Sequence, residues 1–231
     1  MPASKRPAIA AESRVDFVDL AQHCAPQITV ETLAAVVSLE SDFQSLAIRI
    51  NSDHRLPEEE PKSRFEAIET ASMLAATGFD IDLGLGGVSS KDLVRLGMSI
   101  ADSFDPCSNL EATAALLVEH YRKAIRQGAT GKNAETLMLR AYYGRGDALI
   151  GKLVGYERQL AAERARLRFM LGNIAIDAPT HMNKSGSDDR EKAAPADVAD
   201  EKAIGQAPAA SSRPWDVFSS GRGSSVLVFS D

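Results

Sequence analysis

In the stretch LAAVVSLESDFQ, residues Leu33, Val36, Val37 and Glu40 recur at i, i+3, i+4 and i+7, so a carboxylate falls on the apolar stripe of a helix. A carboxyl drawn into apolar surroundings has its ionised form penalised, and its pKa rises. A carboxyl that stays protonated near neutral pH is what a general acid for glycosidic bond cleavage needs. The same position has a plainer reading, a glutamate at a helix end that turns to water or pairs with Arg49. Spacing alone leaves both open. Asp80 and Asp82 could supply a second carboxylate, although the alternation in FDIDLGL places them on the polar side of a strand. His23, His54, His120 and His181 are scattered and form no HExxH or other ligand spacing, so neither a metal nor an organic cofactor is expected. No GxSxG elbow marks a nucleophilic serine. Gly84, Gly86 and Gly87 fit neither GxxxxGK[ST] nor GxGxxG, and read instead as a tight turn where backbone approaches something closely.

The elements that must position these residues are mostly helical, with a small β element in the middle. Residues 14–24 read as a first short helix, and Thr29 can cap a second that runs to about Glu40. Residues 41–62 lack periodicity and contain Pro57, Pro61 and the acidic run Glu58–Glu60, the pattern of a solvated loop. Ser63 and Glu66 form a capping box ahead of the next helix, which Gly78 can end. Phe79, Ile81, Leu83 and Leu85 then alternate with polar residues or glycine as a half-buried strand. Ser90 can cap a short helix ending near Gly97. A longer helix starts near Ser108 with Leu110, Ala114, Leu117 and Tyr121 on one stripe. Another occupies about residues 134–143, and a last helical stretch runs from 147 to 171. Its charged half, YERQLAAERARLR, reads as a solvated face or an exposed extension.

The 231 residues carry 44% hydrophobic and 25% charged side chains, a composition able to bury one sizeable core. The formal charge of −6 gives no electrostatic footing for nucleic acid, whose phosphates need a basic face. No segment approaches the roughly 20 apolar residues that span a bilayer. The start, MPASKRPAIAAESRVDF, has two basic residues and a small-residue run but lacks the apolar stretch of about 7–15 residues of a signal peptide, which on the letters alone leans toward the cytoplasm. Cys24 and Cys107 can be two buried thiols or, in an exported protein, a disulfide. Four segments follow: an N-terminal piece over 1–11, a folded domain over 12–172, a disordered linker over 173–214 rich in Ala, Pro, Ser, Gly, Asp and Lys, and a short tail over 215–231. The tail holds Trp215, Phe218 and an apolar run, a composition suited to docking on a partner.

Several blocks, taken in order, resemble the lytic transglycosylase subunit of VirB-type type IV secretion systems, within the lysozyme-like group that includes goose-type lysozymes. LAAVVSLESDF is similar to the helix ending in the catalytic Glu-Ser, and LAIRIN to the segment after it. FDIDLGLGGVSSKDLVRLG resembles the glycine-containing strand and turn, FDPCSNLEATAALL the block with the second cysteine, and AYYGRGDALIGKLVGY the Ala-Tyr-Asn block with its following Gly-Tyr. The blocks cover roughly residues 15–165, and Trp-Asp-Val in the tail resembles tails in that family.

The resemblance implies an α+β, lysozyme-like helical domain with a small β-hairpin beside the cleft. It implies peptidoglycan as substrate and cleavage between N-acetylmuramic acid and N-acetylglucosamine, leaving a 1,6-anhydro product. Glu40 would be the catalytic acid and base, with Ser41 orienting it and Tyr142 across the cleft. Gly84, Leu85 and Ser90 would shape the sugar-binding wall. It further implies a periplasmic location, a Cys24–Cys107 disulfide, and channel subunits as partners for the tail. Departures fall near the site: Met, Gln and Asn of the usual Gly-Leu-Met-Gln-(Ile/Val)-Asn-Ser are replaced by Gly86, Gly87 and Ser89, and Tyr143 stands where Asn follows the tyrosine. Two functions therefore stand. One is an active transglycosylase; the other is a degenerate relative that binds peptidoglycan or assembles the channel.

Overall fold

A computed structural model describes residues 13–51 and 60–178. The segment 1–11, the tail over 215–231 with Trp215 and Phe218, and His54 and His181 lie outside the described residues.

Helix α2 (Val30–Ser41) lies at the centre of the core: Leu33, Ala34, Ala35, Val36 and Val37 are all fully buried. The two alanines let neighbouring backbones come close, and α1 (Phe17–Cys24) and α9 (Tyr156–Leu167) pack against this helix. Helix α6 (Pro106–Arg126), which follows the single-turn α5 (Ile100–Ser103), is the longest among the described residues. Pro106 sits at its first position, where a missing N–H is harmless, and Asp105 caps it by accepting from the Ser108 N–H at 2.9 Å. Helix α7 (Gly131–Tyr143) packs on α6 and on the short α8 (Ala148–Val154). Helix α3 (Arg64–Ala76) starts at Ser63, whose side chain accepts from the Glu66 N–H. The disulfide forms: Cys24 and Cys107 are bonded with Cα atoms 5.3 Å apart, tying the end of α1 to the start of α6.

The β element is a three-stranded antiparallel sheet of β2 (Ile48–Ile50), β3 (Ile81–Leu83) and β4 (Val88–Ser89). Its register sets Arg49 opposite Asp82 and Asp82 opposite Ser89, a polar row across three strands. The fold class is thus the mainly helical α+β one expected from the sequence.

Five boundaries differ from the sequence reading. Residues 48–50 pair as β2 inside the segment read as loop, because three residues are too few to show a period. The first helix begins only at Phe17; residues 13–16 form β1 (Ser13–Asp16), which pairs antiparallel with β5 (Ala175–Ala178). The chain therefore stays ordered past 172, into the stretch assigned to the linker, and Ile176 is fully buried. Helix α4 (Ser90–Leu96) is capped by Ser89, which accepts from the Asp92 N–H, and Ser90 is its first helical residue. The last helical stretch is broken at Gly155, at φ 66°, into α8 and α9. The charged half is not an extension: Arg164 bridges Thr32 and Glu135, and Ser38 donates to Glu163, seating α9 on α2.

Candidate active site

Glu40 leaves the last turn of α2 with its side chain only 3% exposed, beneath the three-stranded sheet. Two side chains hold it. The Tyr156 hydroxyl, from the start of α9, donates to Oε1 at 2.6 Å, and Arg49 Nη2, from β2, donates to Oε2 at 2.6 Å. The same nitrogen reaches Asp82 Oδ2 at 2.9 Å. Asp82 is 4% exposed at the side chain, and its other oxygen takes Arg145 Nη2. Arg145 also binds Asp80 at 2.6 Å, and Lys91 lies 3.5 Å from that carboxylate. Thus Asp82 is not a solvated residue on the polar side of a strand. Alternation correctly put it opposite the core, but that face carries the polar row, and Arg49 and Arg145 meet the carboxylate there instead of water.

Burial pushes the Glu40 carboxyl above its ordinary range; the charge of Arg49 and hydrogen bonds from Tyr156 and Arg49 pull it back in part, while Asp82 pushes it up again. Burial also pushes the phenols of Tyr156 and Tyr142 well up, with the charge of Glu40 adding to it. Both tyrosines are therefore neutral donors at physiological pH. A small pocket opens over this cluster, lined by Glu40, Arg49, Asp82, Gly87, Tyr142 and Tyr143 among others. On the other side of the Glu40–Arg49 pair lies a groove of about 640 Å³ that includes Ser38, Gln44, Glu60 and Thr70. The acid and its guanidinium partner line both.

The remaining sequence-predicted residues take supporting places. Ser41 Oγ donates to the Val37 and Leu85 carbonyls at 3.0 and 2.7 Å; it joins α2 to the glycine turn and makes no hydrogen bond to Glu40. The Tyr142 hydroxyl donates to the Gly86 carbonyl at 2.6 Å. Leu85 is fully buried, so its side chain is core and cannot touch a sugar. Gly84 faces inward too: a Cβ there would lie 2.2 Å from the Ser103 carbonyl oxygen and 2.3 Å from Asn109 Nδ2. Ser90 is half-buried and does not line the small pocket; its neighbour Ser89 does. The wall facing the acid is Gly87, at φ +63°, where a Cβ would stand 3.0 Å from Glu40 Oε2.

The turn itself is built from behind by α6. Asn109 donates to the Leu83 and Ser103 carbonyls and accepts from the Gly86 N–H at 2.8 Å. A Cβ at Gly86 would come within 1.9 Å of Thr113 Oγ1. Sequence reasoning missed Tyr156, Arg145, Asn109 and Thr113. Their roles depend on contacts across 23 to 116 positions, which no local pattern carries. Among signals that were present, Arg49 was already visible as the partner of Glu40.

No family model matches the chain, and no solved structure matches it. The type IV secretion system protein virB1 of Brucella abortus biovar 1 is 40% identical over 111 residues, covering 48% of this chain and 46% of that protein. About half of this chain is thus similar to virB1 proteins of type IV secretion systems. Protein virB1 of Agrobacterium fabrum is 27% identical over 158 residues, covering 67% of this chain and 62% of that one. The chain spans about half the length of the Brucella relative it matches.

Proposed function

We propose that the protein is a peptidoglycan lytic transglycosylase that opens the cell wall locally for a type IV secretion system, with Glu40 as its single acid and base. The observation that carries this reading is the buried Glu40 carboxyl, raised in pKa by desolvation and oriented by Tyr156, beside an open groove. In the first step the protonated carboxyl gives its proton to the bridging oxygen as the muramic C1–O bond breaks, with an oxocarbenium-like transition state. The carboxylate then takes the proton of that sugar's own 6-hydroxyl, whose oxygen closes on C1 to form the 1,6-anhydro end. The proton is back on Glu40, so no second carboxylate is required. Asp82, whose two oxygens are engaged by Arg49 and Arg145, is free of any such duty. The secretion-system setting comes from the names of the virB1 relatives, and the Cys24–Cys107 disulfide supports a periplasmic site of action. Among the described residues, no helix is long and apolar enough to cross a membrane.

The test is release of 1,6-anhydro muropeptides from purified peptidoglycan by the protein and by Glu40→Gln. Loss of a positioned proton donor is worth on the order of 10²–10⁴-fold. Equal release from both, or none from either, overturns the enzymatic reading. A binding or assembly role is favoured by one observation: glycines and Ser89 stand where the family places Met, Gln and Asn, removing polar groups from the cleft. That reading expects equal retention of both proteins on insoluble peptidoglycan with no product. The partner of the 215–231 tail is in either case a channel subunit.

A further inference from the structure

Arg49 is the member of the cluster that bonds both buried acids. It donates through Nη2 to Glu40 and through Nη2 and Nε to Asp82, at 2.6, 2.9 and 3.3 Å. The two carboxylates are 3% and 4% exposed at the side chain, whereas the arginine is 44% exposed. The guanidinium thus covers both acids and presents its outer side to the two depressions that Glu40 and Arg49 jointly line. Its departure leaves each acid one hydrogen-bonding partner, Tyr156 for Glu40 and Arg145 for Asp82. The arginine also works against the proposed chemistry, because a guanidinium against a carboxylate favours the ionised form and a general acid must hold a proton.

We propose that Arg49 is a substrate-sensing latch: it holds Glu40 in the free protein and swings to a carboxylate on the bound glycan, releasing the acid to work. This rests on the transglycosylase reading and names the feature of the substrate that activates it. Every second sugar of a peptidoglycan strand bears a lactyl group, which ends in a free carboxylate when unsubstituted. When it is substituted, the stem peptide supplies carboxylates instead. A neutral glycan such as a chitin oligomer offers neither. With Arg49 turned away, the groups left facing Glu40 are Tyr156 from α9, Tyr142 from α7 and Asp82 from β3; around the pocket stand Asp92, His120 and Arg145. Burial and the charge of Asp82 then act together to keep the acid protonated. Affinity for the anionic group would be converted into the protonation state that the reaction needs, so neutral glycans would bind without triggering cleavage.

The experiment follows the Glu40 carboxyl by ¹³C NMR titration in the full chain, for the wild type, Arg49→Gln and Arg49→Lys. In the absence of ligand, Arg49→Gln is expected to titrate at least one pH unit higher than wild type. Adding a peptide-free muramic-acid tetrasaccharide or a peptide-bearing glycan to the wild type should produce a comparable upward shift, and chitotetraose none. A shift with the peptide-free sugar assigns the lactyl carboxylate, and one only with the peptide-bearing glycan assigns the stem. In cleavage assays, the preference for muramic-acid glycans over chitin oligomers should fall at least tenfold in Arg49→Gln, with the alkaline limb of its pH–rate profile moved up. Arg49→Lys keeps the charge and serves if the glutamine variant does not fold; it should retain part of the preference. An unchanged Glu40 titration in Arg49→Gln, or an equal shift with chitotetraose, overturns the latch. The two readings fail separately. A ligand-dependent Glu40 shift without cleavage removes the enzyme and leaves the latch; cleavage with no effect of Arg49→Gln does the reverse.

Discussion

Glu40 is pulled two ways, and each side chain around it can be removed to weigh its pull. Tyr156 donates to the carboxylate at 2.6 Å, and a donor to the charged form favours that form. Tyr156→Phe is therefore expected to raise the Glu40 pKa further, moving the alkaline limb of the pH–rate profile upward. With the acid no longer oriented, kcat should drop on the order of tenfold. Stability responds with the opposite preference. The folded state holds this carboxyl above its ordinary 4.5, so its contribution to stability is full below that value and is lost as pH rises through the folded pKa. Glu40→Gln should then be more stable than wild type near pH 7, by about 1 kcal/mol or roughly 2–4 °C in Tm, with the gap closing toward pH 4. Thermal melts across that pH range would show it; a variant equally destabilised at every pH would contradict it. At this scale the sequence was informative where a helix period sufficed. It put Glu40 on the apolar stripe and offered Arg49 as its partner. Tyr156, 116 positions away, entered only as the Gly-Tyr of the family resemblance, with no sign of its contact to Glu40.

Between the elements, the glycine turn is where local reading misled most. In the sequence, GLGG reads as a loop without the polar groups of the family it resembles, with Gly84 and Leu85 as part of the sugar-binding wall. In space, Gly84, Leu85 and Gly86 turn toward α6 and the core, and only Gly87 faces the acid. The reason is packing. Thr113 fills the volume that a side chain at position 86 would need, with its Oγ1 1.9 Å from that hypothetical Cβ. Gly86→Ala should thus destabilise by about 1–3 kcal/mol through overpacking. Thr113→Ala in the same chain should recover most of that, a coupling of roughly 0.5–3 kcal/mol in a double-mutant cycle. Additive effects would mean that the two positions do not share that space. The α1–α6 link is a second element-scale device. The disulfide joins residues separated by 83 positions, for which loop-closure entropy gives about 4.5 kcal/mol and measured bridges typically about 2–4. Reduction should lower Tm by roughly 5–15 °C, read by calorimetry with and without reductant. The cysteines alone favoured two buried thiols, and the bridge came only with the family resemblance; the approach of the two helices decides for the bridge.

At the scale of the whole molecule, the clasp of β1 and β5 closes the described fold and reaches the site through one loop. Ser13–Asp16 pairs with Ala175–Ala178, the Phe17 N–H donates to the Ile174 carbonyl at 2.9 Å, and Ile176 is fully buried. Ser45 Oγ donates to the Asp177 carbonyl at 2.9 Å, so β5 also steadies the segment between α2, which ends beside Glu40, and β2, which carries Arg49. Composition hid this, because AIDA is too short and too mixed to show a strand period next to a stretch rich in small and polar residues. A chain stopped after residue 172 loses the buried isoleucine and four paired residues. Its stability should fall by about 2–5 kcal/mol, the range for emptying a large aliphatic site. Because the lost contacts bear on the loop between the acid and its arginine, the shorter chain should lose muropeptide release at temperatures where its circular dichroism is still native. If release instead survives until the helices melt, the clasp holds the ends of the domain together and has no bearing on where Glu40 and Arg49 stand.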